Sequence, residues 1–292
     1  MQRNSQQGAE TIERRAGASA NAIASHYDLS DEFFSLVLGP QMVYSCALFN
    51  EGDDLATAQV RKLDHHIAEA RAQDAARVLD VGCGWGAMLA RLVEQAGVGR
   101  AVGLTLSSSQ AQWIDRAARP NVEVRKEHWR DHVPEKPYDA VISIGAFEHF
   151  AHPGLDPAEK LDAYRAFFAF CDRVLVSGGR LSLQTIAYSA PPRGLDTSTF
   201  ERVFPESELP LAWHPIAAAD GTFELINLRN DREHYFRTLR AWDRNLTANR
   251  EAAVALVGEA AVANFRHYLR LSAAVFRSGI ACLLRMTFAK LR

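Results

Sequence analysis

A chain of 292 residues, 48% hydrophobic and 23% charged, has the size of one α/β domain with a helical addition and enough apolar material for a sizeable core. A formal charge of −2 gives no electrostatic reason to expect nucleic acid as a partner. Cys46, Cys83, Cys171 and Cys282 are scattered without a C-x-x-C pair, which argues against a disulfide framework or a zinc ribbon and fits a reduced, cytoplasmic setting.

Residues 1 to about 17 read as a disordered leader, and residues 1–25 lack the apolar core of a secretory signal. A helical region follows to about residue 72. It includes an apolar helix that starts beside Asp28, Asp31 and Glu32 and is stopped by Gly39-Pro40. From residue 73 strands and helices alternate, with strands expected at Arg77–Gly82, Ala101–Thr105, Val122–Lys126, Tyr138–Gly145 and Gly179–Ile186. This spacing predicts a doubly wound, mostly parallel sheet. Prolines 191, 192, 205, 210 and 215 turn residues 188–222 into an irregular excursion, after which Phe223–Leu228 gives a sixth strand. Residues 234–278 read as two helices, and Leu283–Ala289 completes a seven-stranded, Rossmann-like α/β sheet. The division expected is a leader and helical cap over 1–72, then a second domain over 73–292 with a helical insertion at about 188–278.

The apolar run Leu271–Leu284 is broken by Arg277 and is too short to span a bilayer. After Glu259 the chain has no acid, while Arg266, Arg270, Arg277, Arg285, Lys290 and Arg292 follow. Such a run reads first as a solvated basic helix face, and second as a dock for an acidic carrier protein or anionic lipid. His65-His66 reads as a solvated helix edge.

The stretch Val78–Gly86, VLDVGCGWG, carries the most chemistry. A buried strand ending in Gly82, Gly84 and Gly86 brings bare backbone N–H groups up to a ligand with no Cβ in the way. Taken alone it fits both a dinucleotide fingerprint and the loop that binds S-adenosylmethionine (SAM). The next strand ends Gly103-Leu104-Thr105-Leu106-Ser107, without the acid that an NAD ribose requires, and Gln110 is the nearest group able to bond a ribose diol.

The segments Tyr27-Asp28-Leu29-Ser30, Tyr44-Ser45-Cys46-Ala47, the glycine loop, Gly103–Ser107 and SIGAFEHF at Ser143–Phe150 occur in this order. Together with HYFRTL at His234–Leu239 they resemble the cyclopropane fatty acid synthase family, most closely its mycolic acid cyclopropane synthase and methyltransferase branch. The resemblance runs from about Ala22 to the C-terminus and implies a SAM-dependent methyltransferase fold with a helical cap. It implies transfer of a methyl or methylene unit to the double bond of an acyl chain or similarly lipophilic substrate, and a carrier protein is a candidate partner.

Carried over residue by residue, the implied cofactor site comprises Tyr44, Ser45, Asp80, Gly82, Cys83, Gly84, Trp85, Gly86, Thr105, Leu106, Gln110, Trp129 and Arg130. Trp129 alone would read as a core aromatic; in this set it is the cover for adenine. Arg130 stands where the branch often has Glu.

An alkene is a poor nucleophile, so the enzyme must hold it in line with the sulfonium methyl, which supplies at best about 7–11 kcal/mol. The carbocation formed is stabilised by aromatic faces, about 2 kcal/mol each when desolvated, and a base then removes a proton. The resemblance implies bicarbonate as that base. The matching catalytic positions here are Cys46, Glu148, Tyr235, Gln184 and the backbone of Ile144, with Tyr27 nearby. Alone, Cys46 would be a small buried hydrophobe and Glu148 a surface acid; YSCALF and SIGAFEHF reverse both readings. Gln184 stands where the family pattern has His in H-T-I, and an amide cannot carry a proton. Glu148-His149-x-x-His152 has the wrong order for a zinc helix, so no metal is expected. The segment 195–215 is shorter than in acyl-chain enzymes, which keeps a second acceptor class open: C- or N-methylation of a small natural product.

Overall fold

The computed structural model describes residues 17, 19, 30–191, 198–203 and 205–292. Its strands are β1 (Val78–Val81), β2 (Ala101–Thr105), β3 (Val122–Lys126), β4 (Tyr138–Ile144), β5 (Leu175–Tyr188), β6 (Phe223–Asn230) and β7 (Ala281–Lys290). They form one sheet in the order β3-β2-β1-β4-β5-β7-β6. Only β7 runs against its neighbours, being antiparallel to both β5 and β6. The expected seven-stranded, mostly parallel sheet is thus the architecture found. β5 is longer than its apolar run suggested, because β7 pairs with it from Arg180 to Tyr188 and Leu175 pairs with Tyr138 beyond an irregularity.

All four residues of β1 are buried, as befits a central strand covered by helices on both faces. The strand order reverses at β1, between β2 and β4, and a crevice opens at that switch point beyond the carboxyl ends of the strands. Helices α3 (Ala87–Glu94), α4 (Ser108–Arg116) and α5 (Pro157–Val174) make the crossovers. The Ser107 hydroxyl caps α4 by accepting from the Gln110 N–H, and Asp156 with Glu159 closes a capping box on α5.

A second apolar cluster lies over the crevice. It joins α1 (Asp31–Leu38) to α8 (Arg232–Ala248), α9 (Arg250–Val257) and α10 (Glu259–Ser278) through Phe33, Phe34, Trp242, Leu246, Ala253, Phe265 and Leu269. The Phe33 and Phe265 rings meet edge to face at 5.3 Å. The Ser30 hydroxyl caps α1, and Gly39, at φ +84°, ends it. The Trp85 Nε1–H donates to Asp31 Oδ1 at 2.8 Å, so the cap is tied directly to the glycine loop.

Residues 234–278 were expected to form two helices and form three: the chain turns at Asn249 and again at Gly258, where φ is +84°. Among its described residues the excursion over 188–222 contains two short helices, α6 (Ser198–Val203) and α7 (His214–Ala219). The expected leader lies outside the described residues apart from Gly17, and Tyr27 lies outside them altogether. His66 is not on a solvated edge. It sits on the buried face of α2 (Leu55–Glu69), fully enclosed against β5.

Candidate active site

Beyond the C-terminal end of β1 the loop Gly82–Gly86 forms one wall of a cavity of about 150 Å³. Gly82 has φ +82°, and a Cβ there would stand 2.5 Å from the Ala146 Cβ, so only glycine lets the loop pack on the β4 turn. Gly84, at φ +54°, has open space where a Cβ would be, which leaves room for a ligand against bare backbone. The other walls include Tyr44, Ser45, Lys62, Asp80, Thr105, Leu106, Gln110, Trp129, Ile144 and Gly145.

Several polar atoms in these walls suit SAM. The Thr105 hydroxyl donates to Gln110 Oε1 at 2.7 Å, which leaves the amide NH₂ of Gln110 to donate to a ribose diol. Trp129 Nε1 and Asp80 Oδ1 are buried with no hydrogen-bond partner among the described residues. An indole N–H beside adenine and a carboxylate oxygen beside an α-ammonium are the complements such a ligand offers. Burial pushes Asp80 up to about 7, against the opposing pull of Lys62. Burial also drives Lys62 down to about 7, helped by the Arg285 charge. Arg130 does not line the cavity. Its guanidinium lies 4.5 Å from the Trp129 ring centroid and packs on that ring, while Glu127 and His128 form the wall instead.

A second, more apolar cavity of about 600 Å³ lies between the sheet ends and the cap. Its walls include Ile186, Phe200, Leu239, Tyr268, Val275, Phe276 and Leu283. Tyr44, Ser45, Gly145 and His149 line both cavities, so these four mark the boundary a transferred group must cross.

Glu148 and Gln184 face the apolar cavity. Glu148 belongs to the 3-10 turn after β4, and its Oε1 accepts from the Ile186 N–H at 2.6 Å. Its Oε2 is buried without a hydrogen-bond partner among the described residues. Burial pushes this carboxyl up to about 7, although the Ile186 N–H and Thr185 favour the anion. The Gln184 amide is oriented from behind, since Arg285 Nε–H donates to its Oε1 at 2.9 Å and His66 Nε2 lies 3.4 Å from the same oxygen. A guanidinium only donates, so the amide oxygen must face it and the NH₂ is turned the other way. Gln184 can therefore present a donor to the cavity.

Arg285 was expected on a solvated basic face, yet its side chain is 1% exposed. It lies on β7 directly opposite Gln184, pairs with Asp231 and donates to the carbonyls of Cys46 at 3.0 Å and Ala47 at 3.1 Å. The remaining arginines after Glu259 do lie outward: Arg266 and Arg270 pair with Asp243, and Arg277 with Glu233. Cys46 is fully buried and borders neither cavity. Its S–H donates to the Ala47 carbonyl, and burial raises the thiol to about 11 against the pull of Arg285 and Lys62.

The two cavities thus bring together every expected cofactor residue but Gly86 and Arg130, and the expected Glu148, Gln184, Tyr235 and Ile144. Gly86 takes its place as the N-cap of α3 rather than as cavity wall. Lys62 and His149 were not expected in these walls, nor His66, Asp231 and Arg285 in the network behind Gln184; for Lys62 and His66 the sequence did carry a signal. Gln59, Lys62, Leu63, His66 and Ile67 follow helical spacing on one face of α2, so the polar members of an apolar stripe were visible.

The chain matches the sequence model of the Mycolic acid cyclopropane synthetase family over residues 14–286. It is 36% identical over 278 residues to cyclopropane mycolic acid synthase 1 of Mycobacterium tuberculosis, covering 88% of this chain and 92% of that one. It is 34% identical over 288 residues to an S-adenosylmethionine-dependent methyltransferase of the same organism, covering 91% and 96%. Among solved structures, a mycolic acid cyclopropane synthase complexed with SAH and CTAB superposes with a TM-score of 0.82 at 35% identity, covering 94% of this chain and 99% of that one. A coclaurine N-methyltransferase at 24% identity shares the fold, with a TM-score of 0.79. With the glycine loop, the complementary polar atoms around it and the adjoining apolar cavity, these matches make the chain a member of the mycolic acid cyclopropane synthetase family of SAM-dependent methyltransferases.

Proposed function

We propose that the protein transfers a methyl or methylene unit from SAM to an unsaturated carbon of a lipophilic acyl chain. The observation that carries this reading is the shared boundary of the two cavities, with Glu148 and the Gln184 amide on the apolar side of it. SAM supplies an electrophilic methyl group. The protein holds the alkene across Tyr44, Ser45, Gly145 and His149, excludes water with the cap, and faces the developing cation with aromatic walls such as Tyr235 and Tyr268. A relative solved with CTAB holds a long-chain amphiphile, which is consistent with an acyl substrate.

Loss of a proton completes the reaction, and Glu148 is the titratable group at that place. Were bicarbonate the base in place of Glu148, Gln184 and Tyr235 would hold it as donors, and Glu148 would do so in its protonated form. Cys46, with its S–H engaged at Ala47, would support that site from behind. A carrier protein presenting the acyl chain as a thioester is part of the same proposal.

One feature favours a second acceptor class. One end of the apolar cavity is polar, formed by His152, Glu206, Ser207 and Glu208, and carboxylates there suit an amine better than a hydrocarbon. The two readings separate with methyl-deuterated SAM and two substrate panels, unsaturated acyl thioesters and small amines or aromatics. Mass spectrometry should find product only in the acyl panel. Two retained deuterium atoms identify ring closure and three identify a methyl branch. Transfer confined to the amines or aromatics would overturn the proposal.

A further inference from the structure

Three polar residues lie on the buried face of α2, and for two of them the amide N–H groups or the ring nitrogens are bonded within the protein. Gln59 donates to the carbonyls of Val43 and Ser45, and His66 bonds Ser182. Lys62 differs. Its nitrogen donates to Ser45 Oγ at 2.7 Å, and no second acceptor for its remaining N–H groups is in place among the described residues. The residue is 1% exposed and lines the smaller cavity. Asp80 lines the same cavity with a buried oxygen that has no hydrogen-bond partner among the described residues. A cation and an anion left half-satisfied in one enclosed space are costly unless a ligand brings the opposite charges.

The methionine part of SAM brings both, an α-carboxylate and an α-ammonium, whereas its adenosine part brings no anion. We infer that Lys62, acting with the Ser45 hydroxyl, holds the α-carboxylate of the cofactor opposite Asp80. The ammonium can only donate, so Ser45 Oγ accepts from it, and the Ser45 hydrogen remains to donate to the same carboxylate. Ser45 also borders the acyl cavity, so fixing it fixes the boundary the methyl crosses.

The groups around Lys62 make this contact proton-linked. Arg285 of β7 disfavours its charge, while Cys46 and Asp80 favour it. His66, one turn along α2, is held well below the ordinary histidine value and is neutral at pH 7. With Lys62 and Asp80 both near 7, a bound carboxylate keeps Lys62 charged and a bound ammonium keeps Asp80 ionised. Above pH 7 binding then takes up a proton at Lys62; below pH 7 it releases one from Asp80.

The test uses S-adenosylhomocysteine and methylthioadenosine, which lacks the amino-acid part altogether. Calorimetry should show Lys62→Met weakening S-adenosylhomocysteine about tenfold to a hundredfold, the range of one charged hydrogen bond, and methylthioadenosine by no more than about twofold. At pH 8, titrations in two buffers of different ionisation enthalpy should show proton uptake by the wild type with S-adenosylhomocysteine only, and its loss in the variant. Lys62→Gln serves in the same role if the Met variant does not fold, and the wild-type proton count stands without either. Equal weakening of both ligands would reduce Lys62 to a prop for Ser45 and overturn the inference. So would unchanged affinity, no uptake by the wild type, or uptake that persists in the variant.

Discussion

Glu148 combines two conditions that a proton acceptor needs near neutral pH. One oxygen is anchored by the Ile186 N–H, and the other is buried beside the substrate cavity with no hydrogen-bond partner among the described residues. Burial has brought the carboxyl to about 7, within reach of both protonation states at neutral pH. Because the anion is the form that accepts a proton, the rate of transfer should rise as pH passes upward through about 7 and then level off. Glu148→Gln keeps the shape and removes the acceptor, and should lower kcat by about 10²–10⁴-fold while abolishing that rise. A pH–rate profile on both proteins checks it. A variant that kept the wild-type profile would place the proton step elsewhere.

At the scale of elements, the β5–β7 pairing sets up the chemistry, since its register puts Arg285 across from Gln184. Replacing Arg285 by Met leaves Asp231 buried with only Arg229 and the nearby His234 as partners, and leaves two carbonyls without their donor. Loss of one member of a buried ion pair costs about 3–5 kcal/mol. Urea unfolding of Arg285→Met should show a loss of that order, and Arg285→Lys should recover little of it because an ammonium lacks the planar fork. This network was not legible in the sequence. Arg285 reads as the middle of a basic run, and its burial follows from β7 entering the sheet between two strands distant in sequence. By contrast β2 and β3 were readable to the residue, because an apolar run (AVGLT) and an alternation of valines with charged residues (VEVRK), each next to turn signals, need no distant partner to be recognised. The glycine loop, Gln110, Trp129 and Glu148 were legible through their motifs. The role of Gln184 was only half so: the substitution was visible, but the arginine that orients the amide was not.

For the molecule as a whole, the cap is joined to the cofactor end at Asp31, which accepts from the Trp85 indole and pairs with Arg116 of α4. Trp85 belongs to the glycine loop and Asp31 to the first turn of α1, whose Phe34 ring also lies 5.1 Å from Trp85. A ligand that steadies the loop should therefore steady the cap. Hydrogen exchange should show slower exchange over Asp31–Leu38 when S-adenosylhomocysteine is added, and less slowing in Asp31→Asn. Unchanged exchange in α1 would mean that the cap moves independently of the cofactor.

The place of β7 in the sheet also constrains how the chain can fold. β5 and β6 are both synthesised before β7, yet they do not pair with each other, and β7 slots between them. Until it arrives, both strands expose open edges to any other chain in the same condition. Closure of this half of the sheet is also a non-local event, which is slow for entropic reasons. A strand made after both of its neighbours thus carries Arg285 into the site, so the substrate pocket is complete only once β7 has inserted, and a slow or damaged β7 would lead to aggregation before it led to a weak enzyme.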